Sequence, residues 1–205
     1  MKELFDAMKE YDTIRRNALE TYEQEKKKIQ ADYGDSRVGQ QKLMEAVNIR
    51  DSVISEAKKN GTNTVEQVFS KLSAKVESCV SAPVPSDFPA VLEAIKITGK
   101  NLSLAEADAY MNRYGSNYTA YRSLASLFGS LKVCRVYPVT YDGILYDIAK
   151  FHSLAINFFS SAGSYMYRLL LHDENPMQSF FQNISGFLNG NILEYGKSIS
   201  EESEE

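Results

Sequence analysis

Tyr11, Tyr22 and Tyr33 stand eleven residues apart near the start of the chain, on an apolar ladder with the same period. Leu4, Ala7, Met8 and Tyr11 form one rung group, Ala18, Leu19 and Tyr22 the next, and Ile29 with Tyr33 the third, while Arg15, Lys26 and Arg37 take the would-be first position of later units. An 11-residue repeat corresponds to about 3.67 residues per turn, so the stripe runs nearly straight or drifts right-handed, unlike a heptad seam. A continuous helix over the first 59 residues would reach roughly 87 Å, whereas a compact chain of this size has a radius of gyration of about 17 Å. The stretch must therefore bend back on itself, with Gly34 to Gly39 as the candidate turn, or protrude and be covered by another chain.

The remaining signals are helical as well. Beyond Gly39 the stripe resumes as Leu43, Ala46, Val47, Val53, Ile54 and Ala57, with Arg50 where an apolar residue is expected, and Asn60-Gly61 reads as a stop. Val65, Val68, Phe69, Leu72, Val76, Cys79 and Val80 share one face of a following amphipathic helix. Three prolines between Ser81 and Pro89 interrupt it. Phe88 to Thr98 predicts a short helix closed by Gly99, and Ser103 with Glu106 spells a capping box for the next. Ser116 or Asn117 caps a further helix whose inner side carries Tyr118, Tyr121, Leu124 and Phe128. The valines between Lys132 and Val139 are expected to form an extended loop, since one short strand is not a sheet. Ile144 to His172 is the most apolar segment and predicts a central helix, with a small-residue patch at Ser160 to Ser164. Asn175-Pro176 opens a last amphipathic helix.

The fold class expected is all-α: a long N-terminal helix or helical hairpin plus a compact multi-helix body. The corresponding division is an arm over residues 1–80, a Pro-rich linker over 81–89, a body over 90–197 and a disordered acidic tail over 198–205.

Charge narrows the function classes. The formal charge of −4 comes entirely from Glu201, Glu202, Glu204 and Glu205, because residues 1–59 carry 12 basic and 12 acidic side chains and residues 60–200 carry 11 of each. No basic field for nucleic acid exists. The Lys26-Lys27-Lys28 run lies among Glu20, Glu23 and Glu25 and reads as a solvated helix face. The stretch from Phe151 to Tyr167 lacks formal charge but is too short and too polar to span a membrane. Two cysteines, Cys79 and Cys134, and an opening without a leader pattern point to free thiols and an intracellular protein.

Signatures of chemistry are sparse. His152 and His172 lie about 30 Å apart on one straight helix and cannot share a metal ion. Asp142 and Asp147 face different sides of a helix, and Asp6 with Glu10 forms a surface pair. Neither cysteine has a ligand-spaced partner, and no common nucleotide, hydrolase or zinc motif occurs. The expectation is no enzyme, no catalytic residue, no cofactor and no metal, an enzyme with a site scattered in sequence being the remote alternative. Thirteen tyrosines without a tryptophan suggest packing edges and interfaces. Tyr110, Tyr114, Tyr118 and Tyr121 read as core. The first tyrosine row reads as a contact stripe for a protein partner or a second copy, with Leu4, Met8, Tyr11, Leu19, Tyr22, Ile29 and Tyr33 as the interaction set.

Two passages resemble proteins of bacteriophage and prophage structural or assembly regions. One is Thr21 to Lys59, with Tyr-Glu-Gln-Glu-Lys-Lys-Lys-Ile from Tyr22 to Ile29. The other is Leu102 to Phe128, with Leu-Ser-Leu-Ala-Glu-Ala-Asp at 102–108, Arg-Tyr-Gly-Ser-Asn-Tyr at 113–118 and Arg-Ser-Leu-Ala at 122–125. The resemblance covers about a third of the chain. It implies a non-enzymatic helical protein of particle assembly, cytoplasmic or virion-associated, with no catalytic residues to transfer. Helix-mediated self-association into a homo-oligomer, through a coiled-coil-like stripe, is the leading functional expectation. An intracellular adaptor that binds a partner helix beside Ser160 to Ser164 is the alternative.

Overall fold

A computed structural model describes residues 2–133, 139–160, 170 and 176–195. Every regular element among them is helical: α1 (Lys2–Tyr33), α2 (Arg37–Val80), α3 (Phe88–Thr98) with a 3-10 turn over Gly99–Asn101, α4 (Leu104–Tyr114), α5 (Tyr118–Leu131), α6 (Tyr141–Ser160) and α7 (Pro176–Leu188). The all-α class holds, and of the two N-terminal arrangements foreseen the chain adopts the hairpin.

The hairpin turn follows from three residues. Gly34 takes φ +55°, a left-handed conformation that suits glycine, and its amide closes on the Gln30 carbonyl at 3.0 Å. Ser36 then caps α2, its Oγ accepting from the Gly39 amide at 3.1 Å. At 32 and 44 residues, α1 and α2 extend about 48 Å and about 66 Å.

The expected stop at Asn60-Gly61 does not occur, and α2 runs through it as one helix. Gly61 is buried, and a Cβ there would overlap the ring of Phe159. This glycine admits an aromatic neighbour instead of ending a helix.

The chain divides into two compact units, residues 1–69 with 152–175 and residues 70–151 with 176–205. This division cuts α2 and α6 in mid-helix and differs from the expected boundary at 81–89. In the first unit the far end of α6 packs on the base of the hairpin. The Tyr11 ring meets Phe159 edge-on at 5.1 Å and Phe158 at 6.2 Å, and its hydroxyl donates to the Phe159 carbonyl at 3.3 Å. Phe69 meets the ring of His152 at 5.3 Å.

The second unit has an aromatic core. Phe151 stacks on Phe180 at 4.3 Å, and Phe187 lies between Tyr118 at 6.1 Å and Tyr195 at 5.4 Å. Ser103 and Glu106 form the expected capping box, and Asn117 caps α5 by accepting from the Ala120 amide at 3.0 Å. The Asn117 amide also donates to the Pro83 carbonyl at 3.0 Å, and Asp87 accepts from Tyr114 at 2.7 Å and Arg113 at 2.6 Å. Residues 83 and 87 of the expected Pro-rich linker are thereby bonded to α4 and α5 within this unit. Tyr114, Tyr118 and Tyr121 are core residues, as their spacing indicates.

Cys134, His172, the valine passage at 134–138, most of the small-residue patch at 160–164 and the acidic tail at 198–205 lie outside the described residues. No helix among the described residues is long and apolar enough to cross a membrane.

Candidate functional site

The hairpin sorts the seven expected contact residues into three groups. Leu4 and Met8 are 0% exposed and Tyr11 is buried against α6, so these three belong to the interior of this chain and cannot serve as an accessible contact surface. Ile29 is also buried, and Leu19 and Tyr22 are half-buried, Tyr22 in the seam with α2. Only Tyr33, beside the turn, is exposed, at 41%. The reason is geometric: once the chain folds back at Gly34, its own α6 covers Tyr11 and its own α2 meets Tyr22, the first of the two arrangements expected.

Arg50, the residue that breaks the apolar pattern of α2, sits in that seam. Its guanidinium lies 4.5 Å from the Tyr22 ring centroid, and it pairs with Asp51 at 2.7 Å. Lys42 stands over Tyr33 at 5.3 Å in the same way, nearer the turn. Cation–π contacts therefore join α1 to α2 twice along the hairpin, once in the seam and once at the exposed end near the turn.

The exposed apolar surface lies on α2. Of the eight large apolar residues exposed among the described ones, five fall between positions 33 and 53: Tyr33, Val38, Met44, Ile49 and Val53. Val38 and Ile49 are eleven residues apart and share a face, with Val53 about 40° further round. Ile49 and Val53 border a groove along one side of the hairpin, completed by Ile14, Ala18, Thr21 and Tyr22 of α1 and Ala46 of α2. Its volume of about 330 Å³ is at the bottom of the usual small-molecule range of roughly 300–1,000 Å³. Glu25 and Arg50 are its charged lining residues. A mostly apolar groove between two helices can take the side of a third helix.

Sequence reasoning named the inward stripe of α1 and missed Val38, Met44 and Ile49. The 11-residue spacing of Val38 and Ile49 was the available signal, being the period of the tyrosine row.

The chemistry-bearing residues are dispersed. His152 Nε2 lies 3.2 Å from Glu66, with its ring against Phe69. Asp147 accepts from the Tyr195 hydroxyl at 3.2 Å, and burial pushes its carboxyl above the usual range. Asp142 is exposed on α6. Cys79 carries a free thiol that donates weakly to the Leu188 carbonyl at 3.8 Å. Among the described residues no group of three or more His, Cys, Asp and Glu could hold a metal ion.

Comparison of the chain with protein-family models, curated proteins and solved structures finds no match.

Proposed function

We propose that this chain is a non-enzymatic structural or assembly protein that works by helix-mediated association through the outer face of the α1–α2 hairpin. The observation that carries this reading is the row of exposed apolar side chains on one side of α2, Val38 at 52%, Ile49 at 63% and Val53 at 41% exposure. Single exposed apolar residues are normal on a protein surface, whereas several on one side of a helix beside an apolar groove form the kind of face a partner would cover. The contact set moves accordingly from the inward stripe of α1 to Val38, Ile49 and Val53, with Tyr33 beside the turn. The likeness of Thr21 to Lys59 to phage structural and assembly proteins falls on the same hairpin and agrees with this class, in the cytoplasm or in a virion.

The test is native sizing of the protein in extracts of the cells that make it. The wild type is expected to migrate in an assembly larger than its own 23.1 kDa, and Ile49→Glu is expected to return it to that mass. Migration of both forms as the single chain would overturn the proposal.

A further inference from the structure

The residues along the exposed face of α2 identify an occupant for the groove. Ile49 lies near its middle, with Lys42 seven residues before it and Glu56 seven after. At about 100° per residue the three fall within about 40° of one another. All three are exposed. Lys42 is held on this side of the hairpin by its contact with the Tyr33 ring. A second α2 laid antiparallel across the face, with a two-fold axis at Ile49, sets each Lys42 opposite Glu56 of the other copy. A parallel arrangement in the same register would oppose lysine with lysine and glutamate with glutamate.

Two further properties favour like against like. Residues 1–59 carry equal numbers of basic and acidic side chains, 12 of each, so two hairpins approach without net repulsion. The groove that Ile49 borders is lined also by Ala18, Tyr22 and Val53, and its volume of about 330 Å³ exceeds that of one isoleucine side chain. An isologous contact of this kind closes on itself, as the commonest homo-oligomers do.

We infer that the groove is occupied by a second copy of this chain, with the two α2 helices antiparallel about Ile49 and reciprocal Lys42–Glu56 ion pairs across the axis. The inference rests on the proposed role of the hairpin face and supplies its partner.

Light scattering on the 205-residue chain during size-exclusion chromatography, over a range of concentrations, tests it. The wild type is expected at twice 23.1 kDa and Ile49→Glu at 23.1 kDa with unchanged helix content. Lys42→Glu and Glu56→Lys should each weaken self-association by about tenfold, because two symmetry-related pairs turn from attractive to repulsive. Combining the two reversals restores the pairs and should recover the wild-type mass profile. A monomeric wild type, or a double variant no tighter than the singles, overturns the second copy as occupant. A monomeric purified wild type that still migrates in a larger, Ile49-dependent assembly in cell extracts would overturn this inference and leave the broader proposal standing.

Discussion

The Arg50 guanidinium lies 4.5 Å from the centre of the Tyr22 ring, joining the two helices of the hairpin at the point where the apolar pattern of α2 fails. The contact explains how a basic residue sits in a seam: its charge faces the negative face of a ring, and its stem packs. A double-mutant cycle of Tyr22→Leu and Arg50→Met, read by denaturant unfolding, is expected to give a coupling of about 0.5–1 kcal/mol. Additive effects would show that the two side chains are neighbours without an energetic link.

Gly61→Ala should destabilise the protein although alanine is favoured over glycine by about 1 kcal/mol inside a helix. The added methyl group would meet the buried Phe159 ring, and overpacking of this kind costs about 1–3 kcal/mol. Phe159→Leu should relieve part of that loss, so the double variant unfolds at lower cost than the sum of the singles. A stabilising Gly61→Ala would show that the ring moves aside freely.

Two carboxylates should give opposite pH signatures. Hydrogen bonding from Tyr114, with help from Arg113, holds the Asp87 carboxyl below its ordinary 3.8. Its stabilisation is therefore present above that value and lost as pH falls through the lowered one. Burial raises Asp147, so its ionisation opposes folding: the favourable contribution exists below 3.8 and disappears as pH rises through the raised value. Asp87→Asn should lower the melting temperature at pH 7, while Asp147→Asn, whose amide oxygen can still accept from Tyr195, should raise it. Both differences should shrink in acid below pH 3.8. Shifts of the same sign at pH 7 would contradict this assignment.

Ser103→Ala removes one half of a reciprocal cap, in which Ser103 Oγ accepts from the Glu106 amide at 3.3 Å and Glu106 accepts from the Ser103 amide at 2.8 Å. The expected loss is about 1 kcal/mol by denaturant unfolding. A negligible change would mean that water replaces the serine at α4.

Local signals made much of this fold legible. The turn glycine at 34, the capping box at Ser103 and the Asn117 cap are short-range patterns whose chemistry stays within a few residues, and each forms as its sequence indicates. Gly61 was misread because glycine that ends a helix and glycine that admits a ring look alike until the ring is placed, and Phe159 is 98 residues away. A greater distance, 148 residues, hid the burial of Tyr11 against Phe159: the period of the stripe shows that it must be covered, but not that the end of α6 covers it. Residues 81–89 read as a linker from their prolines alone, and the bonds to Pro83 and Asp87 come from Asn117 and Arg113, much later in the chain. The apolar face at Val38, Ile49 and Val53 was the least legible feature, because an outward position on α2 is recognised only once the inward direction is known.

Photocrosslinking from position 49 tests the central claim most directly. A benzophenone side chain placed at Ile49 in the protein, in the cells that make it, should yield covalent adducts to another polypeptide, whereas the same group at the exposed Tyr146 of α6 should yield few. Abundant adducts from Tyr146 and none from Ile49 would contradict the assignment of the hairpin face as the surface through which this protein associates.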